Sequence, residues 1–218
     1  MGYNVAIDGP AGAGKSTIAK LVAKEKGYIY VDTGAMYRGL AIHFLDQGIK
    51  AEETDKIIEA CKEAQVTIKY EGGMQQVYLN GNNITSRLRD EEVGNMASKS
   101  SPIPQVREKL LELQQSLARE QDVIMDGRDI GTCILPDADV KVYLTASVET
   151  RAKRRFDELM EKGITCDLEE IAKDIAERDE RDMTRKTAPL KQAEDATLID
   201  SSHMTIEEVV AAITALCR

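Results

Sequence analysis

The run Gly9-Pro10-Ala11-Gly12-Ala13-Gly14-Lys15-Ser16 constrains this chain more than any other feature. It follows an apolar stretch, Tyr3 to Asp8, that reads as a buried strand. It opens Lys15 to Lys26, where Ile18, Leu21 and Val22 recur at helical spacing. In a loop of the form G-x-x-x-x-G-K-[ST], glycines let backbone N–H groups turn inward around phosphate oxygens. The helix that follows directs its positive end at the same point. Residues Gly9 to Ser16, with Thr17 behind them, therefore predict a nucleoside triphosphate site. Lys15 is expected to reach the β and γ phosphates and the Ser16 hydroxyl to ligate Mg²⁺. Val123-Ile124-Met125-Asp126 reads as the companion strand, whose terminal carboxylate would hold the metal's water shell. Asp8 also ends a strand and is expected to brace the phosphate loop.

The pattern around this loop is strand, helix, strand. Gly27 stops the first helix, Tyr28 to Val31 forms a second strand, and Ala35 to Asp46 a second helix ending near Gly48. Such a βαβ unit requires a parallel sheet with covering helices. The pattern changes after a helix from Glu53 to Ala64. Three short runs (Val66 to Tyr70, Gln76 to Leu79, Asn83 to Thr85) are separated by Gly72-Gly73 and Asn80-Gly81, the signature of a small antiparallel meander. Helices Asp90 to Lys99 and Pro104 to Glu120 follow. The α/β pattern resumes with strands Val123 to Met125 and Val140 to Leu144. Helices Thr145 to Lys162 and Leu168 to Arg181, a strand Thr197 to Ile199 and a helix Thr205 to Leu216 complete the chain. The expected class is α/β, a three-layer fold on a central parallel sheet with an inserted antiparallel subdomain and a short helical lid. Residues 1–218 make one domain. Residues 1–64 and 121–218 form its core, 65–120 the insertion, and about 150–187 the lid.

Composition narrows the function. The 218 residues are 42% hydrophobic and 31% charged, enough for a core and without an apolar run of membrane-spanning length. A net charge of −9 argues against a broad nucleic-acid surface, which needs many phosphate contacts. Cys61, Cys133, Cys166 and Cys217 are far apart, which predicts free thiols in a reducing cytoplasm. The N-terminal residues carry no basic region before their apolar stretch, so no export signal is expected. His43 and His203 are isolated and are expected to be structural.

Charged clusters fall where strands give way to helices, which is where ligands bind on open parallel sheets. They are Asp32 to Arg38, Asp126 to Thr132, and Arg178 to Arg185. Arg178, Arg181 and Arg185 sit at i, i+3 and i+7, so a continuous helix would put them on one face, with Asp182 placed to hold Arg178. By spacing alone this reads first as a solvated helix end. No Asn-Lys pair exists to supply the N-K-x-D segment of guanine-specific switches. A small-molecule kinase fits a chain this short better than a motor does.

Several blocks together resemble the bacterial cytidylate kinases over nearly the whole chain. They are IDGPAGAGKST (Ile7 to Thr17), DTGAMYR (Asp32 to Arg38), the meander, DGRDIGT (Asp126 to Thr132), and RDERDMTR (Arg178 to Arg185) with Ala188-Pro189-Leu190 after it. The resemblance implies transfer of phosphate from ATP to CMP or dCMP with Mg²⁺, in a cytoplasmic monomer that uses neither nucleic acid nor membrane. It implies that Thr33 and Tyr37, with Asp32 beside them, place the acceptor. Arg38, Arg128 and Arg185 would hold its phosphate, and Asp182 would touch its sugar. Ser98, Arg107 and Asp129 would read the base. Lys15, Arg128, Arg185 and the lid residues Arg178 and Arg181 would offset charge on the transferred group. Many members have Ser where Thr33 stands, which keeps the hydroxyl. Many have Gly where Ser16 supplies a metal-binding oxygen. Arg154 is a candidate for stacking on adenine. Two other readings stay open: a kinase of another small acceptor, such as UMP or an alcohol, and a nucleotide-binding regulator with little turnover.

Overall fold

The structure is a computed structural model and describes residues 2–218. The chain runs β1 (Asn4–Asp8), α1 (Lys15–Lys26), β2 (Ile29–Asp32), α2 (Thr33–Asp46), α3 (Thr54–Glu63), β3 (Val66–Glu71), β4 (Met74–Leu79) and β5 (Asn82–Asn83). A 3-10 turn, Thr85–Arg89, leads into α4 (Glu91–Ser100) and α5 (Pro104–Glu120). Then come β6 (Val123–Gly127), a π-type turn Ile130–Ile134, β7 (Val140–Thr145), α6 (Val148–Glu161), α7 (Leu168–Thr184), β8 (Thr197–Asp200) and α8 (Ile206–Thr214). Residues 2–30 and 121–218 form one unit and residues 31–120 another.

The first unit is built on a sheet of order β2-β6-β1-β7-β8. β1 runs parallel to β6 and to β7, and β7 parallel to β8. β2 straddles the division between the units. Its Ile29 N–H donates to the Asp122 carbonyl, 2.8 Å away. Val5, Ala6 and Ile7 are buried consecutively, as a parallel strand covered on both faces requires. Val5, Ile7, Ile124, Val142 and Leu144 of the sheet share one apolar core with Ile18 and Val22 of α1 and Val209 and Ile213 of α8. Fully burying each such side chain contributes roughly 1.5–3 kcal/mol.

Helix ends in this unit are set by caps. α6 was expected from Thr145, but Thr145 stays in β7, and the Ser147 hydroxyl caps the helix by accepting from the Thr150 N–H at 3.2 Å. The Asp167 carboxylate accepts from Glu169 and Glu170 at the start of α7. Thr205 and Glu208 form a reciprocal capping box on α8.

In the second unit β3, β4 and β5 form the antiparallel meander, paired from Val66 opposite Leu79 to Glu71 opposite Met74. Gly72 and Gly73 both have positive φ, as do Asn80 and Gly81, the backbone that two-residue hairpin turns demand. The third strand is shorter than the expected Asn83 to Thr85. The Asn83 side chain accepts from the Thr85 N–H at 2.9 Å and bends the chain into the 3-10 turn. A Cβ at Gly39 of α2 would meet Val77 Cγ1 at 3.3 Å, with Ile84 and Val66 close behind. The meander therefore lies directly on α2.

Candidate active site

The loop between β1 and α1 has the backbone its glycines predict. Gly12 and Gly14 adopt φ of 77° and 87°, and Gly14 caps α1 in the left-handed region. Gly9 has φ of 151°, and a Cβ there would lie 1.9 Å from the Leu144 carbonyl oxygen. The strand passes so close to the loop that only glycine fits. Pro10, Ala11 and Ala13 complete the curve, with Lys15, Ser16 and Thr17 on the first turn of α1. The Lys15 ammonium is buried and donates to the Gly9 and Pro10 carbonyls, each at 2.7 Å. Burial, with Arg128 adding to it, pushes this ammonium well below the ordinary lysine range, while Asp126 and Asp8 pull it back up.

Ser16 and Asp126 meet as expected. The Ser16 hydroxyl donates to Asp126 Oδ2 at 2.8 Å, and the Tyr30 hydroxyl donates to Asp126 Oδ1 at 2.9 Å. A hydroxyl beside a carboxylate fits Mg²⁺, a hard cation that takes oxygen ligands and keeps water and phosphate on its remaining positions. The described residues hold no cluster of three or more His, Cys, Asp or Glu that would form a metal cage. Asp8 braces a different element from the one expected. Its two oxygens accept from the N–H groups of Ile130 and Gly131, at 2.7 and 2.8 Å, and so hold the π-type turn rather than the phosphate loop.

The charged residues after β6 pair with those at the end of α7. Arg128 Nε donates to Asp182 Oδ2 at 2.9 Å, and an Arg185 guanidinium nitrogen lies 3.4 Å from Asp129 Oδ1. Burial would raise the Asp182 carboxyl, but Arg128, then Arg178 and Arg185, hold it below the ordinary carboxylate range. Asp182 makes its ion pair with Arg128, and Arg178, the partner considered from spacing, adds to the pull on its carboxyl. The single arginine face is corrected. α7 ends at Thr184, and Arg185 has extended backbone, φ −59° and ψ 141°, with its Nε bonded to the Ala188 carbonyl at 2.7 Å. Arg178 is half-buried and Arg181 exposed. Arg185 reaches Asp129 because it has left the helix.

In the second unit, Asp32 caps α2 by accepting from the Ala35 N–H at 2.9 Å, and its backbone exchanges two hydrogen bonds with the Gln75 side chain of β4. Thr33 is buried on the first turn. An Arg38 guanidinium nitrogen lies 3.2 Å from where a Gly34 Cβ would be, so that glycine gives the arginine room to fold back toward the cap. Arg107 lies 5.7 Å from the Tyr37 ring centre and 3.5 Å from the Ser101 carbonyl, while the Ser101 hydroxyl donates to the Ser98 carbonyl. Tyr37 and Arg107 are thus brought together, with Ser98 three residues before Ser101.

Two side chains matter here that sequence reasoning missed. Arg151 is buried on α6. Its Nε donates to the Ala146 carbonyl at 2.8 Å, one terminal nitrogen to the Ala11 carbonyl of the loop at 2.9 Å, and the other to Asp179 at 2.6 Å. Lys141 lies against Gly131 through its methylenes and pairs with Asp195 at 2.7 Å. For the first the sequence offered no clear signal, since Ser147, Arg154 and Arg155 at helical spacing from Arg151 are polar. Nothing in the sequence marked the second. Arg154, the stacking candidate, donates to the Ser201 carbonyl at 2.7 Å.

The parallel sheet, its phosphate loop and the hydroxyl–carboxylate pair define a P-loop kinase fold. A shikimate kinase structure from Bacteroides thetaiotaomicron shares it, with a TM-score of 0.50 at 14% identity over 98% of this chain and 97% of that one. The cytidylate kinase family model matches residues 5–218, and the chain belongs to that family. It is 53% identical to the cytidylate kinase of Caldicellulosiruptor saccharolyticus and 50% to that of Caldicellulosiruptor bescii, each over 98% of this chain and 94% of the relative.

Proposed function

We propose that this protein transfers the γ-phosphate of ATP to CMP or dCMP, giving ADP and the matching diphosphate. The observation that carries the reading is the ring of charge after β6. Arg128 is fixed on Asp182 and Arg185 on Asp129, in a chain whose relatives are cytidylate kinases. In an in-line transfer an acceptor phosphate oxygen bonds to the γ-phosphorus while the bond to the β–γ bridging oxygen breaks, and ADP carries away that electron pair. The acceptor is already an anion, so no general base is needed. Positioning and charge stabilisation do the work. Lys15 exchanges its two loop carbonyls for the β and γ phosphates. Arg38, Arg128 and Arg185 hold the acceptor phosphate, and Arg178 and Arg181 offset charge on the transferred group. Mg²⁺, held through Ser16 and Asp126, would neutralise the donor's phosphate oxygens.

Base choice follows from hydrogen-bond chemistry. Cytosine presents an amino donor at N4 and acceptors at N3 and O2. Asp129 accepts from the first, and Arg107, beside Ser98, donates to the others. Uracil puts an oxygen where Asp129 needs a donor, and a site built on buried hydrogen bonds rejects such a mismatch strongly. Thr33 and Tyr37, with Asp32, place the nucleotide, and Asp182 takes the sugar. The test is ADP release from ATP with CMP, dCMP, UMP and AMP offered separately. CMP and dCMP should turn over, with UMP and AMP slower by roughly a hundredfold or more. Equal rates for all four, or no turnover with any, would sink the reading.

A further inference from the structure

The turn that carries Asp129 has a construction problem, and Asp8 solves it. The carbonyl of Asp129 accepts from the N–H groups of Cys133 and Ile134, so the turn closes on itself from that end. The N–H groups of Ile130 and Gly131 come too early in the turn to find a partner within it. Both are buried, where an unpaired N–H costs about 1–3 kcal/mol. Asp8, at the end of the neighbouring β1, accepts one with each carboxylate oxygen. The space around Gly131 is also filled. A Cβ at Gly131 would stand 3.2 Å from Lys141 Cδ, 3.3 Å from its Cγ and 3.4 Å from Asp8 Oδ2. The ammonium of that lysine is tied to the Pro136 carbonyl and to Asp195. The turn is thus held by the Asp8 carboxylate and packed against a tethered lysine stem.

We propose that Asp8 is a positioning residue for base selection: its paired hydrogen bonds to Ile130 and Gly131 fix the turn that presents Asp129 to the cytosine amino group. This rests on the role given above to Asp129. Only an ionised carboxylate supplies two equivalent acceptors. An Asn side chain has the same shape but turns an N–H₂ toward one of the two N–H groups. Keeping the charge works against burial. Desolvation pushes the Asp8 carboxyl up to about 6, the Gly131 and Ile130 N–H groups pull it down, Asp129 pushes it up and Lys15 pulls it down. A carboxylate kept under those conditions is holding geometry that a neutral isostere would not.

The experiment compares Asp8→Asn and Asp129→Asn in the full chain, reading the ratio of kcat/KM for CMP to that for UMP, the KM for ATP, and amide exchange at residues 130 and 131. Asp8→Asn should keep the far-ultraviolet spectrum and hold the ATP KM within about threefold. Losing one hydrogen bond of this kind should speed exchange at both amides and lower the CMP:UMP ratio, each by roughly tenfold. If Asp129→Asn collapses the ratio and Asp8→Asn leaves it intact, Asp8 has no positioning role, while base reading by Asp129 stands. If Asp129→Asn itself leaves the ratio unchanged, base reading fails and the role of Asp8 with it. Should Asp8→Asn not fold, Gly131→Ala presses the same turn off its seat. An unchanged ratio in that variant overturns the proposal equally.

Discussion

The two units prepare their charges in opposite ways. In residues 2–30 and 121–218 several charged groups are buried or half-buried and already paired. Lys15 is on two carbonyls, Asp126 on Ser16 and Tyr30, Arg128 on Asp182, Arg151 on Asp179. In residues 31–120 Asp32 is committed to its helix cap, while the Arg107 guanidinium lies 3.5 Å from the Ser101 carbonyl and 5.7 Å from the Tyr37 ring centre. A region that stabilises a transition state gains from dipoles and charges fixed in advance. One that selects an acceptor gains from side chains that settle on the ligand. Changes at the donor end of the first unit (Lys15, Ser16, Asp126) should therefore register mainly in kcat or in folding, and changes at Tyr37 or Arg107 of the second in acceptor KM.

The contrast can be broken at four places. Lys15→Met should cut turnover most, by roughly a thousandfold, since it removes a preorganised charge aimed at the transferred group. Near-normal steady-state turnover would end that role. Gly9→Ala should destabilise the fold rather than slow the chemistry. With a Cβ 1.9 Å from the Leu144 carbonyl the strand must move, and a loss of about 4 kcal/mol would lower Tm by roughly 10 °C in a chain of this size. Calorimetry checks it.

Acid should act through Asp8, whose carboxyl stands at about 6 when folded against an ordinary 3.8. A raised folded value means that protonation favours the fold. The contribution is fully present below the unfolded value and is lost as pH rises through 6. Measured against Asp8→Asn, wild-type unfolding free energy should gain up to about 3 kcal/mol as pH falls from 7 to 4. Asp129, Lys15 and the Tyr143 phenol are the charged or titratable groups coupled to it. A flat difference would mean that Asp8 is not held at that value. The smallest effect belongs to the second unit. Arg107→Met should raise the CMP KM by roughly tenfold and leave kcat within about twofold, because it removes binding that ground and transition states share. A loss confined to kcat would erase the distinction between the units.

Periodicity and glycine chemistry made the elements legible. α1 and α5 begin and end where spacing and breakers put them, and both hairpin turns follow from Gly72-Gly73 and Asn80-Gly81. Helix ends were harder to place, because apolar periodicity does not mark the local hydrogen bonds, Ser147 with Thr150 and Arg185 with Ala188, that accompany them. The phosphate loop was legible because its chemistry is local to eight residues. The Ser16–Asp126 meeting could be inferred because parallel strands bring their ends together. The partners of Asp8, Asp182 and Arg151 could not, for each pairing joins segments more than 25 residues apart through one particular rotamer.

Arg151 has a consequence for motion. Its nitrogens are divided between the loop carbonyl of Ala11, the strand end at Ala146 and Asp179 on α7. Lysine could not replace that planar fork, because a compact ammonium cannot span three fixed acceptors. The loop and α7 are therefore geared together. A shift of the loop backbone at Ala11 either breaks that hydrogen bond or pulls on the helix that bears Arg178 and Asp182.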